Sequence, residues 1–302
     1  MVQPYHKSMT VDVSRFRTDD HRARHLAVLQ SAYDRLWPIA RTETDVPTRY
    51  GTTRIVRSGT GGGAPLVLLP GAGGSSLMWY PHIAGLARDR TVLGVDPVGD
   101  PNASTQTAPI TGGADLSRWL TEVLDGLGVE RAHVAGCSYG GWVALRQHLD
   151  DPGRAASITL VDPAGFGRVS LRFIAWTIAG GLAMIGPSPV RRLGARVLHN
   201  STLLDESLRP LIRGSFDFRR RLPAPEPLTD DDLRRVRAPT LALFGERSQL
   251  YDAAAVARRV EATIPGARTL VVPGASHDLP MHSPALIVEQ ILRNVDGADS
   301  VS

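Results

Sequence analysis

The sharpest chemical signal in the chain is the run Gly136-Cys137-Ser138-Tyr139-Gly140-Gly141, set between a strand-like segment, RAHVAG, and a helix-like one, YGGWVALRQHL. A serine on so abrupt a strand-to-helix turn is a nucleophile elbow: the turn strains the serine backbone, and glycines at 136 and 140 let neighbouring backbone come close. The helix N-terminus behind Ser138 favours negative charge developing in front of it. In a chain with 30 glycines the pattern can arise by chance, so its strand and helix context carries the reading. A serine hydroxyl is a weak nucleophile until a base lies within hydrogen-bond reach, a task for histidine, and the chain holds nine histidines. Cys137 stands beside the central position of the turn, so its side chain points elsewhere and reads as a small buried residue. A competing pattern, Gly71-x-Gly73-x-x-Ser76 followed by Asp96, imitates a dinucleotide-binding fingerprint. There the third glycine is replaced by Ser76, and the elbow and the late histidine His277 are left without a role.

Such residues must be positioned by regular elements, and the pattern along the chain supplies them. Strand-like runs at PLVLLP, TVLGVD, RAHVAG, ASITLVD, TLALFG and RTLVVPG alternate with helical stretches such as ADLSRWLTEVLDGLG and DAAAVARRVEATI. This alternation predicts an α/β fold with a doubly wound, mostly parallel sheet. Between LVDPAGF and APTLALFG no strand-like run appears, only helical patterning and breakers such as GPSP and LPAPEP, which predicts a helical cap or lid. The domain reading is therefore an N-terminal helical extension over 1–48, with a helix from Asp20 to Trp37, a core made of 49–163 and 238–302, and the cap at 164–237. The last residues, GADSVS, read as a frayed tail. The first twenty residues show no apolar stretch ahead of their charges and so do not read as a secretory signal. The run Phe173 to Gly186, FIAWTIAGGLAMIG, is too short for a membrane span and reads as a buried or interfacial helix.

From Arg49 to Asn294 the chain resembles the α/β-hydrolase superfamily. The resemblance rests on the elbow and on Leu69-Pro70-Gly71-Ala72-Gly73-Gly74-Ser75, which follows PLVLL where that family supplies one backbone NH of its oxyanion hole. Matching the motifs implies Ala72 and Tyr139 as the NH donors; Pro70 stands where a histidine is usual. The family order of serine, acid, histidine implies His277 as the base, with His282 as fallback and His133 as a core histidine inside the strand. His6, His21, His25, His82, His148 and His199 have no motif context. The acid departs from the commonest pattern, because Ser248 occupies the position where the family usually carries aspartate. Asp162, which closes the strand ASITLVD, resembles the relocated acid of some lipases and haloalkane dehalogenases, and it is the first choice. Asp252, which precedes a helix as an N-cap would, is second and Glu246 third. Asp96 is assigned to the turn DPVGDPNAS.

The resemblance implies a serine hydrolase acting on an ester, lactone or thioester of a small to medium apolar substrate through an acyl-enzyme, with no cofactor and no metal. Carbon-carbon bond hydrolysis or cofactor-free perhydrolysis (haloperoxidase chemistry) on the same residues, a non-catalytic binding protein and a nucleotide-dependent reductase are its alternatives. In the cap, Phe173, Ile174 and Trp176 are expected to roof the pocket, while the arginines from Arg191 to Arg221 would either meet an acidic group of the substrate or form a solvated face.

Composition narrows the remaining classes. At 302 residues, 42% hydrophobic and 21% charged, the chain excludes a disordered, collagen-like or disulfide-scaffold protein. A single cysteine cannot form an internal disulfide, so a cytoplasmic setting is expected. The net charge of +4 arises within 164–237, which holds 13 basic and 7 acidic residues. Without an aromatic-interleaved basic stripe, that excess does not read as a nucleic-acid site. The expected partner is a small-molecule substrate, and oligomeric state is not written in the sequence.

Overall fold

In the computed structural model, which describes residues 12–300, the chain builds a nine-stranded sheet and a two-stranded ribbon. The strands in chain order are β1 (Arg15–Phe16), β2 (Thr42–Thr48), β3 (Gly51–Ser58), β4 (Leu66–Leu69), β5 (Val92–Val95), β6 (Thr105–Gln106), β7 (Ala132–Cys137), β8 (Ala155–Val161), β9 (Phe218–Arg219), β10 (Thr240–Gly245) and β11 (Arg268–Val272). The helices are α1 (Asp19–Leu36), α2 (Ile83–Leu86), α3 (Gly113–Gly126), α4 (Tyr139–Asp150), α5 (Leu171–Ile185), α6 (Ser188–Val197), α7 (Arg209–Ser215), α8 (Asp230–Arg234), α9 (Ala253–Thr263), α10 (Leu279–His282) and α11 (Pro284–Asp299). The sheet runs β11-β10-β8-β7-β4-β5-β3-β2, with β6 beside β3. Strands from β11 to β5 are parallel, and β3 and β2 are antiparallel.

The central strands β4, β7, β8 and β10 are buried along their whole length, as near-continuous apolar runs covered on both faces must be. One face carries a core with Trp119 of α3, Trp142 of α4 and Val260 of α9; the other carries Tyr33 of α1, Leu86 of α2 and Ile291 of α11. The sheet is thus doubly wound, and the carboxyl ends of its parallel strands form the edge where open α/β sheets place ligands.

The block inserted between β8 and β10 holds α5, α6, α7 and α8, and it also contains a strand, contrary to the purely helical expectation. Phe218 and Arg219 of β9 pair antiparallel with Phe16 and Arg15 of β1, and the Phe16 and Phe218 rings meet edge-on with centroids 4.9 Å apart. A two-residue strand carries no local periodicity; its partner lies two hundred residues away in sequence. The segment before Arg49 is likewise more than a helix, since β2 forms the edge of the main sheet. At the other end Gly297, Ala298 and Asp299 continue α11 where a frayed tail was expected. Residues 1–11, with His6, and 301–302 lie outside the described residues. Among those described, no helix is long and apolar enough to cross a membrane.

Candidate active site

Ser138 sits between β7 and α4 with φ = 50° and ψ = −115°, a left-handed conformation that costs a non-glycine residue on the order of 1–3 kcal/mol. The surroundings enforce it. A Cβ on Gly136 would lie 2.5 Å from the carbonyl group of Gly140, and one on Gly140 would lie 2.6 Å from the carbonyl oxygens of Leu69 and Pro70. The Ser138 carbonyl accepts from the Gly141, Trp142 and Ala164 amides, while its own N–H donates to Val161. The strained residue is thereby held on every backbone side, and Oγ faces the carboxyl edge of the sheet.

His277 lies on the loop between β11 and α10. Its Nε2 is 2.9 Å from Ser138 Oγ and its Nδ1 is 2.6 Å from Asp162 Oδ2. One tautomer serves both contacts: Nδ1–H donates to the carboxylate, leaving the Nε2 lone pair for the serine hydroxyl. Asp162 is fully buried at the end of β8 and, like Ser138, is left-handed, with φ = 43°. Ser248 Oγ donates to its Oδ2 at 2.7 Å, the Gly245 amide donates to its Oδ1 at 3.0 Å, and Tyr251, anchored on the Pro163 carbonyl, reaches toward Oδ1 at 3.5 Å. Ser248, at the position where the family usually carries an aspartate, is thus hydrogen-bonded to the Asp162 carboxylate.

The loop after β4 passes beside the serine: a Cβ on Gly71 would be 3.5 Å from Ser138 Cβ. The amides of Ala72 and Tyr139 donate to no acceptor among the described residues. An ion pair between the buried Asp100 and the half-buried Arg220 braces both segments. Arg220 Nε donates to Asp100 Oδ1 at 2.6 Å, and its guanidinium lies 4.6 Å from the centre of the Tyr139 ring. Burial pushes the Asp100 carboxyl up, while Arg220 and the Gly73 amide draw it back toward the charged form.

Above these groups lies a cavity of about 440 Å³, within the size range of small-molecule sites. Ser138, His277 and Ala72 are in its wall, together with Phe173 and Trp176 of α5. The Phe173 and Trp176 rings stand edge-on to the imidazole with centroids 4.9 and 6.0 Å away, and the Trp176 indole donates to the Leu198 carbonyl at 2.8 Å. Leu211 and Ile212 of α7 and Leu29 of α1 complete an apolar lining.

Comparison with known proteins agrees with this geometry. A family model described as "Alpha/beta hydrolase family" matches residues 66–290. The chain belongs to the α/β-hydrolase family. It is 31% identical over 281 residues to carboxylesterase YbfK of Bacillus subtilis, covering 86% of this chain and 91% of that one. The uncharacterized carboxylesterase nap of the same species is 29% identical over 275 residues, covering 88% and 91%. The crystal structure of naproxen esterase (carboxylesterase NP) from B. subtilis superposes with a TM-score of 0.81 at 28% identity over 92% of this chain and 99% of that one. The chain is thus an α/β-hydrolase similar over most of its length to carboxylic ester hydrolases.

Within this α/β-hydrolase the other residues weighed from sequence stand apart from Ser138. Asp252 caps α9 by accepting from the Ala255 amide at 2.9 Å, and Glu246 is exposed and accepts from the Gly274 amide at 2.8 Å. His133 is held in the core between Ser157 and Asp299, and His282 lines a separate cleft with Arg192 and Arg196. Asp96 is buried against Ser76, which also hydrogen-bonds Tyr33, so it organises the turn after β5. Burial raises the pKa of Cys137, with Asp162 adding to the effect, so the thiol stays protonated next to the serine.

One expectation is corrected. Ile174 does not line the cavity; it is 43% exposed on the outward side of α5, because α5 shows Phe173 and Trp176 to the imidazole instead. Of the two roles weighed for the cap arginines the structure favours the solvated face: none lines the cavity, Arg191 pairs with Glu206 and Arg220 with Asp100, and Arg192, Arg196, Arg213 and Arg219 are exposed. Sequence reasoning missed Asp100, Arg220, Tyr251, Leu29 and His25. His25 borders the cavity from α1, bonded to the Pro101 carbonyl at 2.9 Å, with a pKa lowered by burial. Only the Asp-Pro pair at 100–101 had a local turn signal; the others meet through long-range packing.

Proposed function

We propose that the chain is a serine hydrolase that cleaves carboxylic esters of small to medium apolar molecules through an acyl-enzyme on Ser138. The observation that carries this reading is the continuous hydrogen-bond path from Ser138 through His277 to Asp162 at the wall of an apolar cavity. His277 Nε2 takes the hydroxyl proton as Oγ attacks the ester carbonyl carbon, and Asp162 stabilises the imidazolium that forms. The oxyanion of the tetrahedral intermediate meets the free amides of Ala72 and Tyr139 at the start of α4, donors worth roughly 2.7–4 kcal/mol each in such reactions. The imidazolium returns its proton to the leaving alkoxide, releasing the alcohol. His277 then draws a proton from water, which attacks the acyl-enzyme, releases the carboxylic acid and restores Ser138.

The inserted block acts in this scheme as a cap that closes over the acyl group. The apolar lining favours a hydrophobic acyl or alcohol moiety, and similarity to B. subtilis carboxylesterases supports an ester as the reacting bond. The test is turnover of a p-nitrophenyl ester series of increasing acyl length by the wild type and Ser138→Ala. The reading predicts a burst of p-nitrophenolate in the wild type and a loss of several orders of magnitude in the variant. Equal turnover by both proteins would overturn it.

A further inference from the structure

Helix α5 is apolar on both sides. Inward it presents Phe173 and Trp176 to the cavity; outward Leu171, Ile174, Ile178, Leu182 and Ile185 recur at helical spacing and are all exposed, Ile178 by 58% and Leu182 by 62%. On the neighbouring α6, Val190, Leu193 and Val197 repeat the spacing, with Leu193 63% and Val197 67% exposed. A helix that is hydrophobic all round is ordinarily buried, and exposed aliphatic stripes of this extent mark interaction surfaces.

The charge around the stripes says what covers them. From Pro163 to Leu204 the chain holds no aspartate or glutamate, and it holds five arginines. Arg191 is engaged by Glu206, but Arg168, Arg172, Arg192 and Arg196 are exposed and have no carboxylate partner among the described residues. A second copy presenting the same face would bring these arginines against their equivalents, so self-association is opposed by like charge. At 15 residues α5 is too short to span a bilayer, while an apolar face bordered by arginine is the pattern of a helix lying in the headgroup region.

We propose that the outer face of α5 and α6 docks on an anionic lipid surface, the aliphatic side chains entering the headgroup boundary and Arg172, Arg192 and Arg196 meeting lipid phosphates. This goes beyond the hydrolytic reading and does not depend on it. Docking would bring α5, one wall of the cavity, to the boundary where apolar esters partition.

The test is flotation of the full chain with vesicles of phosphatidylglycerol and, separately, of phosphatidylcholine. Wild type, an Ile178→Ser/Leu182→Ser/Leu193→Ser variant and an Arg172→Gln/Arg192→Gln/Arg196→Gln variant are compared, with circular dichroism to verify folding. All six positions are exposed and outside the catalytic cavity, so turnover of a water-soluble ester is expected to be unchanged. The proposal predicts binding to phosphatidylglycerol that both variants lose. For the arginine variant the loss is on the order of a hundredfold, from about fivefold per charge near such a surface. Failure of the wild type to float, or equal binding to both lipids by wild type and arginine variant, would overturn it. So would a wild-type dimer in solution that the serine variant dissociates, since that outcome assigns the face to self-association.

Discussion

Replacing Asp162 with asparagine tests the part of the site that departs most from the usual pattern. Asparagine keeps the shape and can still accept from the Gly245 amide, which donates to Oδ1 at 3.0 Å. Toward His277 it can present its amide group, favouring the tautomer with Nδ1 unprotonated and the proton on Nε2, facing Ser138. An imidazole so arranged cannot accept the serine proton, and it has no carboxylate to stabilise its charged form. In serine proteases that combination costs about 10⁴-fold in kcat, near 5.5 kcal/mol at 1.36 kcal/mol per tenfold. Ser248 sharpens the test. Its hydroxyl is 2.7 Å from Asp162 Oδ2, so Ser248→Ala removes a hydrogen bond that orients the carboxylate toward His277 and is expected to lower kcat, by less than Asp162→Asn does because only the part of the bond that differs in the transition state counts. Ser248→Asp in the Asp162→Asn background places a carboxylate close to the vacated role and is expected to recover at least tenfold. The assay is steady-state hydrolysis of a p-nitrophenyl ester, with circular dichroism on each variant. If folded Asp162→Asn keeps more than a tenth of wild-type kcat, the assignment of Asp162 is refuted.

Three further outcomes follow from the packing and the charges. Asp100→Asn weakens the ion pair with Arg220, which braces the Gly73 and Tyr139 segments, so kcat is expected to fall tenfold or more with KM little changed; a rise in KM alone would contradict this. Gly140→Ala sets a Cβ 2.6 Å from two backbone carbonyl oxygens, a strain of about 1–3 kcal/mol or more, and calorimetry should show a lowered Tm; an unchanged Tm would mean the elbow tolerates bulk. His82 is fully buried with Nε2 3.1 Å from the Pro280 carbonyl oxygen, and desolvation, only partly offset by backbone bonds, lowers its pKa to about 4. The unfolded imidazole takes up a proton near pH 6.5 and the folded one only near 4. Its contribution is therefore intact above 6.5 and lost as pH falls toward 4, by up to about 3 kcal/mol. Urea unfolding at both ends of that window should show a smaller loss for His82→Gln, and an identical loss would assign the acid sensitivity elsewhere.

How far the fold could be read in advance depended on whether each feature is written locally. The buried strands β4, β7, β8 and β10 are continuous apolar runs between turn residues, so their existence and parallel pairing follow from pattern and alternation. Ser138 was legible because its turn needs glycine at fixed offsets. His277 and Asp162 were reached through chain order in a resembled family, and their distances to Ser138 belong only to the folded chain. The β1 and β9 ribbon was illegible because each strand has two residues, and its pairing depends on α1 folding back against the inserted block. The ion pair of Asp100 with Arg220 joins a turn after β5 to the return from that block, with no periodicity linking them. The stripe on α5 was visible as an apolar run, but which side met the cavity and which met solvent was decided by the packing of Phe173 and Trp176 around His277.

The central claim is that Ser138 is an activated nucleophile in a working site. It is tested most directly by intact-mass measurement after treatment with a fluorophosphonate, run on wild type, Ser138→Ala and His277→Ala, followed by mapping of the labelled peptide. The account predicts a single adduct on Ser138 in the wild type and none in either variant. No adduct on the folded wild type, or one that persists in Ser138→Ala, would contradict it.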